Sequence, residues 1–192
     1  MAWPEKRKAN TRNQILECAA QLFSEKGFDR VSIDDVMRNA GLTRGGFYSH
    51  FQSKDALYAE AIKMAAQRSV AARLPEASMT DAEKLHFLLD QYLDVSHLST
   101  DEPSCPLAFM ATDVAHRNDE VRDVYTKVYK RLVIFIAKLM GESADSDRVL
   151  ALTAMMIGGV AVANSLQDEK MVTKLLAACR KFGDELIQDE TK

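Results

Sequence analysis

Apolar residues recur along the chain at spacings of three and four, and no segment alternates apolar with polar residues over the length of a strand. With only four prolines to interrupt it, the pattern predicts an all-α protein of about nine helices. The first helix is expected to start near Thr11, where Thr11-Arg12-Asn13-Gln14 has the form of a capping box. It buries Ile15, Ala19, Leu22 and Phe23 on one stripe and stops at Gly27. Ser32 opens a short second helix. Its hydroxyl can accept from free backbone N–H groups, Asp34 and Asp35 suit the positive helix end, and Ile33, Val36 and Met37 face inward. Ala40-Gly41-Leu42 makes a sharp turn into a third, very short helix over 43–50, and Ser53 caps a fourth over 54–73.

Beyond Pro75 the helices lengthen. Thr80-Asp81-Ala82-Glu83 is a second capping box, leading into a helix that buries Leu85, Leu88, Leu89 and Tyr92, and four more are expected over 103–116, 118–140, 145–166 and 170–187. Neither a repeat of solenoid length nor a low-complexity tract is present.

Charge sharpens this picture. The chain has a formal charge of -3, which excludes a protein that coats nucleic acid over its whole surface. Residues 1–55 nevertheless hold nine Lys or Arg against seven Asp or Glu, while the remainder holds sixteen against twenty-one. Lys6, Arg7, Lys8 and Arg12 face only Glu5 at the start, a basic arm that suits a phosphate backbone and equally suits a solvated tail. Cys18, Cys105 and Cys179 are too few and too scattered for a disulfide framework or a zinc finger, which implies a reducing, cytoplasmic setting. The apolar stretch 150–162 is shorter than the roughly 20 residues of a membrane helix, so a soluble protein with no membrane partner is expected.

Two helices joined by a tight glycine turn, following a first helix and a basic arm, make a helix-turn-helix. Thr43 and Arg44 then lie at the start of a recognition helix, and Arg44 can bond guanine O6 and N7 through both guanidinium nitrogens. Gly45 and Gly46 either allow close approach of DNA or merely serve the turn. Ser32, Tyr48, His50 and Lys54 are placed to contact and orient the phosphate backbone. Phe47 and Phe51 read as core. Arg12 and Arg38 read equally as phosphate clamps or as a solvated face.

Residues 33–57, with Ala40-Gly41-Leu42-Thr43-Arg44-Gly45-Gly46-Phe47-Tyr48-Ser49-His50-Phe51 at the centre and Ser53-Lys54-Asp55-Ala56-Leu57 at the end, closely resemble the N-terminal signature of the TetR family of transcriptional regulators. The resemblance covers about residues 11–58. It implies a helix-turn-helix domain over 1–55 that grips a double-stranded operator, and a larger helical domain over 56–192 that binds an unknown small-molecule effector and forms a homodimer through the last two helices. A two-fold dimer would set its recognition helices roughly 34 Å apart on a palindrome. Ala151, Ala154, Gly158, Gly159, Ala161 and Ala163, with Met155, Met156, Ile157, Leu175, Leu176 and Phe182, fit that interface, although a buried intrachain helix would look similar. The family default is a repressor released by its effector.

Candidate effector-lining residues are Tyr92, Phe109, Tyr125, Tyr129 and Met155, with Met64, Arg68 and Met110, all of which would also serve as ordinary core. The stretch Ser104-Cys105-Pro106-Leu107-Ala108-Phe109-Met110-Ala111-Thr112-Asp113 resembles one in a branch of these regulators where a cysteine opens the sixth helix. A thiol at a helix start can respond to oxidants or electrophiles; the alternative is a small buried residue. Asp113 and His116 share a helix face with His97, Asp101 or Cys105 in reach, but metal-site spacing is lacking, and no metal or cofactor is expected. Walker, G-x-S-x-G and H-E-x-x-H motifs are absent, so an enzyme is disfavoured. A ligand-independent architectural DNA-binding protein, or less readily a helical enzyme, are the competing readings.

Overall fold

The structure, a computed structural model, describes residues 5–73, 79–98 and 105–188, which carry helices and no strand. Helix α1 (Glu5–Lys26) begins before the expected Thr11 box. Between Lys6 and Asn10 there is neither proline nor glycine, so the helix runs back through the basic segment. Thr11 lies inside it, its hydroxyl donating to the Arg7 carbonyl at 3.0 Å, and the Gln14 amide donates to the Ala40 carbonyl at 2.8 Å. Gly27 ends α1 with φ +76°. A Cβ there would also lie 2.9 Å from Asp113 Oδ2, so both the backbone and a neighbour require glycine.

Helix α2 (Ile33–Asn39) starts in a reciprocal box: Ser32 Oγ accepts from the Asp35 N–H at 3.1 Å and Asp35 Oδ2 accepts from the Ser32 N–H at 3.0 Å. These bonds from Ser32 hold the Asp35 carboxyl below its ordinary range. Gly41, at φ +66°, makes the turn. The third helix is not α-helical: Arg44–Ser49 wind as a 3-10 helix, the tighter form that a six-residue segment with two adjacent glycines adopts readily. Helix α3 (Lys54–Arg68) is capped by Ser53 Oγ and stops five residues before the predicted end. There the Ser69 hydroxyl and N–H both turn back on the Ala66 carbonyl, at 2.8 and 3.3 Å, and Val70–Ala72 form a 3-10 turn. Pro75 lies outside the described residues.

Helix α4 (Asp81–Tyr92) has its Thr80–Glu83 capping box. The 3-10 turn Val95–Leu98, which the apolar pattern does not predict, forms where Asp94 Oδ1 accepts from the Ser96 N–H at 2.8 Å. The single helix expected over 103–116 is two: α5 (Pro106–Phe109) and α6 (Ala111–Val114), broken at Met110, whose ψ of -1° leaves the helical range while its side chain is wholly buried. Pro103 and Ser104 are outside the described residues, as is Asp101. Helices α7 (Asp119–Met140), α8 (Asp147–Asn164) and α9 (Glu169–Gln188) follow within a few residues of expectation.

One continuous apolar core joins these helices. Helix α3 packs on α1 on one side and on α7 on the other, and α8 and α9 pair beside α4. Ion pairs Arg12–Glu60 and Glu17–Arg68 join α1 to α3, while the Asp90–Arg180 ion pair (2.5 Å) and a hydrogen bond between His86 and Asp184 (2.9 Å) join α4 to α9. Such partly exposed pairs contribute about 0–1 kcal/mol each, so burial dominates. Helix α8, with a mean hydropathy of 1.3, is long and apolar enough by length and composition to cross a membrane, contrary to the reading of 150–162; one side of it is buried against α7 and α9.

The closest helix crossings occur at glycines. A Cβ on Gly159 would meet Cys179 Sγ at 2.9 Å, and one on Gly183 would meet the buried Leu89 Cδ2 at 2.7 Å. Gly183→Val is therefore expected to lower the urea midpoint, at unchanged m-value, by an equivalent of about 1–3 kcal/mol through overpacking. An unchanged midpoint would mean that the α4–α9 crossing is looser than this geometry.

Candidate functional site

Two regions hold exposed or sealed polar groups that the core does not explain. The first is the surface made by α2 and the 3-10 helix. Val36, Met37, Phe47 and Phe51 bury its underside, with Phe47 at 0% and Phe51 at 3% exposure, which places both rings in the core. Thr43 is the N-cap of the 3-10 helix, yet its side chain makes no capping bond and is exposed. Arg44 extends across the surface to Asp34, with Nη1 to Oδ2 at 2.6 Å, and the Asp34 carboxylate raises the guanidinium pKa further. Tyr48 is 63% exposed although its ring packs edge-on against Phe47 at 5.1 Å.

The glycines of this surface separate into two kinds. Gly41 is required by its positive φ. Gly45 and Gly46 have negative φ; a Cβ on Gly45 would meet nothing within 4 Å, and one on Gly46 only Met37 Cε at 3.7 Å. Neither the turn nor internal packing demands them.

A groove of about 420 Å³ runs beside this face between Lys8 and Thr11 of α1 and Thr43, Gly46 and Ser49. His50 lies in it; burial, then Lys8 and Arg12, lower its pKa and keep the ring neutral at physiological pH. Ser32 is engaged in the α2 cap. Arg12 is neither free clamp nor solvated face: it pairs with Glu60 and lies 4.7 Å from the Phe51 ring centroid. Arg38 is solvated, with a loose 3.6 Å pair to Asp35.

Lys54 has a partner that the sequence does not suggest. Its Nζ donates to the Phe28 carbonyl at 2.6 Å and lies 4.0 Å from the Phe28 ring centroid, and desolvation lowers its pKa. Phe28 is held from the other half of the chain as well. Its N–H donates to Asp113 Oδ2 at 2.7 Å, Arg117 Cζ is 4.2 Å from its ring centroid, and Arg117 Nη1 reaches Asp29 at 3.4 Å. Asp113, considered above beside His116, thus serves the Phe28 backbone, and no group that could hold a metal ion occurs among the described residues.

The second region is a cleft of about 270 Å³ between α3, α5 and α7. Of the candidate lining residues only Tyr92 and Cys105 border it. Tyr125 donates to the Leu107 carbonyl at 2.7 Å, Tyr129 pairs with Thr153 at 3.2 Å, Met110 is sealed in the core, and Phe109, Met64 and Met155 pack against that core. Arg68 pairs with Glu17 on the α1 side. Residues missed from sequence are Lys63, Gln67, Arg131 and Phe135, exposed or half-buried positions whose convergence needs three helices. Cys105 precedes a helix of only four residues and is buried. Desolvation raises its thiol pKa against the bonds from Tyr92 and from the Leu107 and Ala108 N–H that favour thiolate, which fits the small buried residue and not an activated thiol.

The outer side of α8 and α9 is apolar without intrachain cover. Ala151, Ala154 and Val162 of α8 and Met171 and Phe182 of α9 are exposed, and a Cβ on Gly158 would meet nothing within 4 Å. Met156, Gly159, Ala163 and Leu176 instead face the chain's own core and leave the set assigned to a partner.

The family described as "Bacterial regulatory proteins, tetR family" matches residues 15–61, which span the second half of α1 through the first half of α3. The chain is 26% identical over 142 residues to the HTH-type transcriptional regulator UidR of Escherichia coli (strain K12), covering 72% of this chain and 69% of that protein. It is 22% identical over 141 residues to the HTH-type transcriptional repressor DhaR of Mycobacterium sp. (strain GP1), with the same shares covered. Among solved structures, SCO4454, a TetR-family transcriptional regulator from Streptomyces coelicolor, superposes with a TM-score of 0.78 at 15% identity, covering 96% of this chain and 97% of that one, a likeness of fold. The matched segment is the one that carries the capped α2, the glycine turn and the exposed 3-10 helix, and it is an N-terminal domain of the tetR family of bacterial regulatory proteins.

Proposed function

We infer that this protein is a homodimeric repressor that reads a palindromic duplex with residues 43–46 and releases it when an effector enters the cleft beneath α3. The observation that carries the reading is the open space at Gly45 beside the uncapped Thr43 and the outward Arg44. Glycine is a poor helix residue, and nothing inside the chain requires it here, so an external backbone or base edge is the natural occupant of that space. Asp34 holds Arg44 extended in advance, which reduces the entropy lost when the guanidinium engages a guanine. Tyr48 and His50 flank this strip as phosphate contacts, whereas Ser32, whose hydroxyl and N–H both donate to Asp35, stays in the α2 cap; Lys54 retains two donors for a phosphate beyond the one given to Phe28.

Residues 1–55 act as the DNA-binding domain and 56–192 as the effector and dimerisation domain, communicating through Phe28. Pro106 and Leu107 border the cleft, α6 follows one residue after α5, and Asp113 of α6 holds the Phe28 N–H. A hydrogen bond to a charged group contributes about 1.5–3 kcal/mol and tenfold release needs about 1.4 kcal/mol, so this contact has the magnitude that effector-driven release requires. The uncovered α8–α9 face supports the dimer, with small residues that permit close helix approach. The cleft favours this reading over a ligand-independent architectural protein.

Selection of bound fragments from random duplexes, followed by footprinting, tests the function directly; absence of any preferred sequence would end it. Arg44→Ala is expected to weaken the selected site by about 1–3 kcal/mol and relax one base position. Gly45→Ala should melt at the wild-type temperature or above and still lose at least tenfold in operator affinity. Full affinity in that variant would assign the glycine no role at the duplex. Val162→Lys is expected to halve the mass in sedimentation with the helical circular dichroism retained, and a persistent dimer would remove α8 from the interface. Asp113→Ala should bind the operator yet lose most of its response to effector; an undiminished response would route coupling elsewhere.

A further inference from the structure

The cleft under α3 is graded. Its floor is apolar and sealed, with Tyr92 at 1%, Cys105 at 4% and Leu107 at 2% exposure, and its wall continues with Leu132 and Phe135. Its rim has two cations, Lys63 from α3 and Arg131 from α7, both exposed. No carboxylate lines it among the described residues, and neither cation is paired there. The two rim cations therefore have no carboxylate of the cleft to neutralise them, in contrast to Arg68 on the same helix as Lys63, which is paired with Glu17. At the floor the Tyr92 hydroxyl is buried without a hydrogen-bond partner of good geometry; the adjacent Cys105 thiol is a weak one. A buried unpaired hydroxyl in a cleft wall is destabilising unless something that enters the cleft satisfies it.

We propose that the cleft is a site for a small amphipathic organic anion, whose carboxylate or equivalent acid group is neutralised by Lys63 and Arg131 at the rim while its apolar body lies over Leu107, Leu132 and Phe135. The proposal rests on the effector reading above and names the chemical class of that effector. The volume of about 270 Å³ is just below the roughly 300–1,000 Å³ found for small-molecule sites, so the ligand is compact, of the size of a medium-chain or aromatic monocarboxylic acid. A ligand with a second polar atom at its far end gains the Tyr92 hydroxyl as partner. Neutral ligands of the same body would leave the two rim cations without a counter-charge, and cationic ones would be repelled. Because the cations are exposed, the preference for anions weakens as salt is added.

The test uses matched probes on the full-length protein: octanoate, 1-octanol and octylammonium, titrated by calorimetry at low and high salt. Octanoate is expected to bind at least tenfold more tightly than octanol, with octylammonium weakest, and the difference should shrink at high salt. In the Lys63→Gln, Arg131→Gln double variant the thermal midpoint is expected to stay within a few degrees while octanoate falls to the affinity of octanol. Equal binding of octanoate and octanol by the wild type, tighter binding of octylammonium, an anion preference that survives the double substitution, or no binding of any probe would each overturn the proposal. A protein that selects a duplex sequence and shows no anion preference loses only this inference, whereas anion preference without duplex selection removes the regulator reading and leaves the site.

Discussion

The backbone at Phe28 is where the two halves of this chain are tied. Its N–H is taken by Asp113, its carbonyl by Lys54, and its ring lies within 4.2 Å of two cations and against Phe23 and Tyr58. The turn that presents these groups exists only because Gly27 accepts a positive φ and leaves room for the Asp113 carboxylate. Without that meeting point α1 and α2 would still form, but the 3-10 helix would be related to α6 and the cleft only through the packing of α1 and α3 on α5 and α7. Several interactions of about 1–3 kcal/mol act on one loop, and together they match the coupling energies by which effectors act at a distance.

The surface proposed to meet DNA depends on what is packed beneath it. Short helices such as α2 and Arg44–Ser49 have little stability of their own, since nucleation is costly and only a few bonds repay it. They persist because Val36, Met37, Phe47 and Phe51 are buried beneath them and because Ser32 and Asp35 close one end. The outward groups therefore start from fixed positions, and Arg44 is further restrained by Asp34. Preorganisation of this kind is what allows a small surface to discriminate base pairs instead of merely adhering to phosphate.

The cleft and the uncovered α8–α9 face obey the opposite logic. Each leaves unfinished what the core otherwise completes: an unpaired hydroxyl and two unneutralised cations in one, exposed Val162, Met171 and Phe182 in the other. A buried unsatisfied hydroxyl and an uncovered apolar face both become more favourable when another molecule covers them.

Much of this was legible in the sequence wherever the determining interaction spans only a few residues. The Thr80 capping box, the Ser32 and Ser53 caps, the glycine stop at 27, the glycine turn at 41 and the apolar stripe of α4 all depend on neighbours a few positions away, which a linear reading can see. The Thr11 box misled for the same reason: a local pattern cannot reveal that an upstream basic segment continues the helix. The Met110 break, the raised thiol pKa of Cys105, the use of Lys54 and Asp113 on Phe28, and the convergence of Lys63, Tyr92 and Arg131 required the folded chain. Phe28 and Asp113 are 85 positions apart, and what a polar side chain does at such a distance depends on desolvation and on which other groups arrive beside it, quantities that exist only once the helices are packed.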